Sequence, residues 1–512
     1  MQHMLFSDPI KLNAVRYKDR EALSFNGLRF TYQDFNNRIN QLSHALQSIG
    51  VKKGDKVAIM LMNCHQLFEL IFACAKIGAV SVPVNSRFVS REIQHVVDDS
   101  EAVLLVVDSR FMGEITPSIE KYKTVKHFIT VGSSEKVQYP EYEKLIADFS
   151  MEEPVPSSPL TELDTLTIMY TGGTTGYPKG AVRTHRSMYL VTLLFSIEFN
   201  ISRLGKGLAA GPLYGAAALS ISLPNLYVGN SLHILESFHP VEVLKALDEE
   251  KTTTTFLAPP MLEAIFSLPE EILRQYDVSS LQSIISVGAP LHTSTKEKVF
   301  NYFPTVDLNE FYGATELGGA ANLFPEMQND KDRSVGVPML GMEIELRNDV
   351  REPVPAGEAG EFFVRGITLC DEYYKRPEAN EESFDGEWLS LGDVGVQDED
   401  GYYSIVDRKQ DMILSGAINV YPAEIEGVLH EHPSVVDVAV IGVPDEKWGE
   451  VSLAVVVLRK GAEVSKEELI EFCQGKLAKY KIPQHVDFVD ILPRSLQGKL
   501  LKFKIRENYV ST

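Results

Sequence analysis

The sequence predicts an α/β protein of at least two domains, and three observations carry that prediction. Apolar strand-like runs alternate with helical periodicity in the first third of the chain, and the rhythm returns after residue 160. The 512 residues exceed what one hydrophobic core supports. Towards the C-terminus the texture changes twice, first to short β runs and then to a separate mixed unit.

The elements follow in order. Phe35, Ile39, Leu42, Leu46 and Ile49 recur at helical spacing, with Thr31 as a start signal and Gly50 as a stop. Residues 57–61 read as a buried strand, 67–77 as a helix ending before Gly78, and 102–107 as a wholly apolar strand. This rhythm implies a largely parallel sheet covered by helices. Beyond residue 160, strands are expected to end at Tyr170, Ala258, Val287 and near Phe311. From about Gly336 to Ser404, short β runs with Gly and Pro turns suggest a small barrel or distorted sheet. The last hundred residues read as an α+β unit: a helix over 424–429, strands over 435–441 and 453–458, and a helix over 465–477. The charged stretch 407–411 reads as an interdomain hinge, or on composition alone as a solvated loop. The expected domains are therefore 1–406, built of layered α/β subdomains with a β-rich part at about 336–406, then the hinge 407–411, and 412–512.

Composition narrows the function. A net charge of -22 repels phosphate backbones and anionic membranes, so nucleic acid is excluded as a partner. Four cysteines without C-x-x-C spacing disfavour a metal site or a disulfide framework and fit a reducing compartment. There is no signal-peptide pattern and no run of about 20 apolar residues, and Val510-Ser511-Thr512 is no peroxisomal address. A cytoplasmic protein without an integral membrane segment is expected. His430-Glu431-His432 lacks zinc-protease spacing and reads as surface, and no G-x-S-x-G elbow is present.

The chemistry concentrates in a few stretches. An apolar strand-like run leads into Thr171, Gly172, Gly173, Thr174, Thr175, Gly176, Tyr177, Pro178 and Lys179. Glycines free main-chain N–H groups, threonines add hydroxyls and Lys179 adds charge, which is a polyphosphate cradle by composition. It is no P-loop of the NTPases, because Pro178 stands where that motif needs glycine. Gly288, Ala289 and Pro290 follow a strand and make a slot that suits a flat purine, or a plain strand-to-helix turn. In 310–316, Tyr312 offers a stacking ring, Gly313 close backbone approach, Thr315 a hydroxyl and Glu316 a hard-oxygen carboxylate suited to Mg2+.

The order T-G-G-T-T-G-x-P-K-G resembles the signature loop of the acyl-adenylate-forming, AMP-binding enzymes, and among these the chain is similar in type to the fatty acyl-CoA synthetases. Further stretches resemble the same family from about Thr31 to Lys499: Gly288–Leu291 its "GAPL", 312–316 its "YGxTE", and 388–393 its "W-x-x-T-G-D" with Leu391 in place of threonine. Asp407-Arg408 resembles its hinge motif, 416–426 its "G-x-N-V-x-P-x-E-I-E" with Ala417 in place of a frequent glycine, and 493–499 its "P-R-[TS]-x-x-G-K".

The resemblance implies a mobile small C-terminal domain and a division of labour. Thr171 to Lys179 would cradle the β- and γ-phosphates of ATP. Gly288, Ala289 and Pro290 would border adenine, and Glu310, Phe311, Tyr312, Gly313, Ala314 and Thr315 the nucleotide. Asp393 and Arg408 would hold the ribose, and Glu316 with Thr175 would hold Mg2+. Lys499 would bridge the attacking carboxylate and the α-phosphate, Gln410 would be the pivot, and Gly416 and Ala417 would line the CoA path. The implied reaction makes acyl-AMP and pyrophosphate from a carboxylic acid and ATP, then a thioester with CoA. The partners are then the acid, ATP and CoA, and a homodimer is allowed.

The acid is read from residues 212–218. Gly215 stands where amino-acid-activating relatives place aspartate, so an α-amino acid is not expected. Tyr214, Gly215 and Ala216, with Gly288 and Gly313, are the candidate acyl-binding residues, giving a medium or long aliphatic acid first and an aryl acid second. Close helix packing accounts equally well for the small residues. The alternatives are an acyl-AMP ligase loading a separate carrier protein and, in another class, a catalytically silent nucleotide-binding protein.

Overall fold

The structure, a computed structural model, describes residues 4–132, 139–171, 178–409, 411–415, 418–445, 449–477, 479–494 and 500–510. Two compact units divide it: residues 1–343 with 365–387, and 344–364 with 388–512. The β-rich segment is thus shared between the units, and the division does not fall at residues 407–411.

The first unit holds two mainly parallel sheets, in keeping with layered α/β subdomains. In the first, strands Val80–Pro83, Lys56–Met60, Ala102–Asp108 and His127–Val131 run parallel, and Thr165–Thr171 joins them through Val80–Pro83. Lys179–Thr184 then returns antiparallel to Thr165–Thr171. In the second sheet, Asp307–Ala314, Ser283–Ser286, Thr254–Phe256, Lys206–Ala209 and Ser231–Ile234 lie side by side and parallel. The N-terminal strand Glu21–Phe25 completes that row against Ser231–Ile234, about 200 residues away in sequence.

Between the sheets runs the helix His65–Ile77, every residue of which is buried. It lies against strands of both sheets, which is why it is apolar on all sides. Its two buried charges are fully paired. Arg38 donates to both oxygens of Glu69 at 2.7 and 3.1 Å, and the Tyr142 hydroxyl adds a bond of 2.6 Å. The Lys76 ammonium donates to Asn36, Asn40 and both oxygens of Glu153. These bonds tie the helix Tyr32–Ser48, started by a Thr31–Asp34 capping box, to the segment 142–153.

The second unit carries antiparallel strands Asp393–Gln397 and Tyr403–Arg408, and its last hundred residues form a sheet of their own. There Val435–Asp445 and Gly449–Leu458 pair along their lengths, and His485–Phe488 adds a parallel strand. Alternation splits the side chains: Val438, Val440, Ala454 and Val456 join one core, and Ala439, Ile441, Leu453 and Val455 the other.

Three expectations change. The helix read over 465–477 spans only Lys466–Phe472, capped by the Ser465 side chain. His432 is buried, edge-on to Phe472 at 4.9 Å, so that stretch is not all surface. Asp407 and Arg408 end a strand, and Asp407 is buried, accepting the Ala423 N–H at 2.8 Å, so this part of the charged stretch is no solvated loop. All four cysteines are free and buried.

The N-terminal segment docks through His185, whose Nδ1 accepts the Phe6 N–H at 3.2 Å while the Phe6 ring stacks on Phe72. Burial pushes the imidazole down from 6.5 to about 4, against the pull of Asp164. A lowered histidine stabilises the fold fully above pH 6.5 and loses that contribution as the pH falls towards 4. The difference corresponds to about 3 kcal/mol. Denaturant titrations at pH 7 and 4.5 should show the wild type losing about 2–3 kcal/mol more than His185→Gln, which lacks the titration.

Candidate active site

Parallel strands end together, so each sheet collects its loops at one edge. In the second sheet that edge carries Gly288 after Ser283–Ser286, residues 312–316 around the end of Asp307–Ala314, and Tyr214–Gly215 after Lys206–Ala209. In the first sheet it carries Thr171, where the Gly/Thr loop begins; residues 172–177 lie outside the described residues.

The structure brings Thr171 and Glu316 together. Oε1 of Glu316 accepts the Thr171 hydroxyl at 3.3 Å and the Tyr373 hydroxyl at 2.9 Å. Among the described residues, Oε2 makes no hydrogen bond. Lys179 lies 5.3 Å from the centre of the Tyr373 ring. Burial pushes the Tyr373 hydroxyl up, and the Glu316 charge adds to that, so it remains a donor. The main chain is fixed as well: the Glu316 carbonyl accepts the Cys370 N–H at 2.7 Å, and the Thr315 carbonyl accepts Nε and Nη2 of Arg183 at 3.1 and 2.5 Å. The donor set fits Mg2+, which takes one or two carboxylates and leaves the rest of its shell to phosphate and water. No group of three His, Cys, Asp or Glu side chains occurs among the described residues, and such a site needs none.

Residues 310–316 are not all turned towards a ligand. Phe311 is buried in the core, with its ring 5.5 Å from Phe195 and 5.3 Å from Phe199. Glu310 is buried too, 2.8 Å from Lys296 in a pair held by charge rather than by an aligned hydrogen bond. Burial pushes its carboxyl upward against the pull of Lys296, and its Oε1 accepts the Leu291 N–H at 3.2 Å. Glu310 therefore braces the turn after Gly288, Ala289 and Pro290 from inside. That turn needs glycine, since Gly288 has φ +101°. Tyr312, Ala314 and Thr315 are half-buried.

The acyl candidates divide. Gly215, Ala216 and Ala217 are half-buried at the start of the helix Ala216–Val228, whereas Ala218 is buried near Gly211. Packing thus explains the last alanine; the first three small residues stay part-exposed, and a Cβ on Gly215 would stand 3.2 Å from the Pro212 carbonyl oxygen. The buried Tyr214 hydroxyl has no hydrogen-bond partner among the described residues.

The second unit carries Asp393 and Arg408, in register across two strands and joined at 3.0 Å. Asp393 is buried behind a turn in which the Ser390 hydroxyl accepts the Gly392 N–H. Gln410, Gly416, Ala417, Thr175 and Lys499 lie outside the described residues. Sequence reasoning missed Tyr373, Lys296 and Arg183. An arginine inside the strand-like run 180–184 was the one signal that could have pointed to a buried cation with a task.

Two family models match the chain, the AMP-binding enzyme model over residues 10–374 and the AMP-binding enzyme C-terminal domain model over 424–499. The chain belongs to the AMP-binding enzyme family. A feruloyl-CoA synthase of Amycolatopsis sp is 36% identical, covering 95% of this chain and 96% of its own. The long-chain-fatty-acid–CoA ligase FadD13 of Mycobacterium tuberculosis is 32% identical, covering 95% and 94%. The crystal structure of the anthranilate CoA ligase AuaEII with anthranoyl-AMP superposes with a TM-score of 0.91 at 27% identity, covering 99% and 97%. Fold, motifs and relatives make the chain an AMP-forming acid–CoA ligase. No helix among the described residues is long and apolar enough to cross a membrane.

One residue tests the hairpin that presents Glu316. A Cβ on Gly313 would stand 2.2 Å from the Gly318 carbonyl oxygen, so the two strands would have to part. Gly313→Ala should destabilise the first unit by about 1–3 kcal/mol in denaturant titration.

Proposed function

We propose that the chain activates an apolar carboxylic acid on Mg2+·ATP and passes it to CoA, with Glu316 as the magnesium carboxylate and Lys499 as the catalytic cation. The observation that carries this reading is Glu316 itself: one oxygen is fixed by two hydroxyls and the other accepts no hydrogen bond among the described residues, beside the start of the Gly/Thr loop. A carboxylate is a poor acyl donor, because its oxygen leaves badly and its charge repels nucleophiles. Its attack on the α-phosphate forms the O–P bond, breaks the bond to the β-phosphate bridge and releases pyrophosphate. The thiol then attacks the acyl carbon and AMP leaves.

No enzyme nucleophile is needed; the chain supplies position and charge. Thr171 and Lys179, with the loop between them, bind the β- and γ-phosphates. Asp393 accepts the ribose hydroxyls, with Arg408 beside it. Mg2+, when bound, screens phosphate charge. Lys499 neutralises the approach of the two anions, and rotation about Gln410 then withdraws it and brings Gly416 and Ala417 to the thiol.

For the acid, the part-exposed small residues Gly215, Ala216 and Ala217 carry no charge and suit an alkyl or aryl body. The Tyr214 hydroxyl, without a hydrogen-bond partner among the described residues, favours an aryl acid that carries an oxygen substituent, and a feruloyl-CoA synthase stands among the relatives. A medium- or long-chain fatty acid remains the reading for which the FadD13 relative speaks.

Product analysis should find AMP and pyrophosphate, formed only with a suitable acid; ADP as the main product would refute the reading. Lys499→Ala should lose adenylation about 10²–10³-fold, the usual effect of removing one transition-state charge donor, yet still convert supplied acyl-AMP and CoA. Equal loss of both half-reactions would rule out domain alternation.

The acid can be decided by kinetics on fatty acids and hydroxycinnamic acids. For an alkyl substrate, kcat/KM should rise roughly fourfold per methylene and then plateau, because each buried CH2 is worth about 0.8 kcal/mol. For an oxygenated aryl acid, Tyr214→Phe should lower kcat/KM about tenfold while sparing fatty acids, the loss of one buried hydrogen bond.

A further inference from the structure

Arg183 is 2% exposed and forms no ion pair among the described residues. Its guanidinium donates to main-chain carbonyls alone: twice to Thr315 and once to Thr368, at 2.6 Å. Burial lowers its pKa, while Glu316 and Asp371 act the other way as nearby negative charges. A buried cation without an adjoining carboxylate is costly, and capping two carbonyls requires only neutral donors. The retained charge therefore points to a task beyond packing.

Its position suggests that task. Arg183 projects from the first sheet, and Thr315 lies in the hairpin of the second that presents Glu316. Thr368 closes the opposite side, its hydroxyl donating to the Leu317 carbonyl at 2.7 Å. The guanidinium thus fixes the main chain one residue before the carboxylate. Tyr373, five residues beyond Thr368, fixes the carboxylate itself. One group sets where Glu316 stands, and the other sets which oxygen is left without a hydrogen bond among the described residues.

We infer that Arg183 and Tyr373 are positioning residues for the Glu316 carboxylate, holding Oε2 towards a divalent cation on the ATP phosphates. The inference rests on the reading of Glu316 as the metal carboxylate. Neither residue touches substrate; both act through Glu316. Outer-shell partners of this kind carry about 10–100-fold in metal affinity.

The test is Mn2+ affinity, followed by electron paramagnetic resonance on the full chain with α,β-methylene-ATP. The wild type is compared with Arg183→Gln, Arg183→Lys and Tyr373→Phe. Arg183→Gln and Tyr373→Phe should each weaken Mn2+ binding about tenfold and raise the Mg2+ concentration for half-maximal pyrophosphate exchange in proportion. Metal-free nucleotide affinity should stay within about twofold, and Arg183→Lys should recover part of the loss by restoring the charge. A merely structural role would lower the melting temperature and leave the metal titration of the folded protein unchanged, which overturns the inference. Should Arg183→Gln not fold, Arg183→Lys and Tyr373→Phe decide it, and wild-type Mn2+ affinity in both is the overturning result. A wild type that catalyses exchange but holds no protein-bound Mn2+ overturns the metal reading as well; a wild type without exchange contradicts the adenylation reading first.

Discussion

Glu316 gathers segments that the sequence keeps far apart. Thr171 ends a strand of one sheet, Glu316 sits in a hairpin of the other, and Tyr373 belongs to a short strand that returns to the first. Three hydroxyl and carboxyl oxygens within hydrogen-bond reach require the carboxyl edges of the two sheets to keep a fixed spacing. The buried helix His65–Ile77 sets part of that spacing by touching strands of both. Its paired charges do what a purely apolar helix could not, because Glu69 and Lys76 each accept only one arrangement of neighbours.

Much of this was legible in the residues. Apolar runs, the Thr31 cap and the glycine stops located helices and strands closely, because periodicity reports which face is buried. The ordered motifs nominated the candidate site, since few other chemistries need glycines, threonines and one lysine after a strand. Which strands belong to which sheet could not be read, because alternation of elements says nothing about which strands pair. The membership of Glu21–Phe25 in the far sheet rests on contacts with residues 231–234 alone.

Which stretches would supply candidate residues was legible, but not the direction in which each side chain turns. Residues 310–316 looked like a row of ligand contacts, yet strand alternation sends Phe311 into the core, and Glu310 is turned inward to Lys296. Arg183 and Tyr373 escaped because neither belongs to a stretch with a distinctive order. Their importance comes from what stands opposite them in space.

The pairing of Glu21–Phe25 with Ser231–Ile234 has a consequence for biosynthesis. A ribosome adding 5–20 residues each second needs about 10–40 s to travel from the first strand to its partner. During that interval the apolar residues Ala22, Leu23 and Phe25, buried in the finished fold, lack their partner strand. The first sheet, by contrast, has four of its strands within residues 56–131 and can begin to assemble while the second is still being made. The nascent chain therefore passes through a stage in which residues 21–25 wait for a partner made much later, and a chaperone acting there would meet this early strand rather than the growing end.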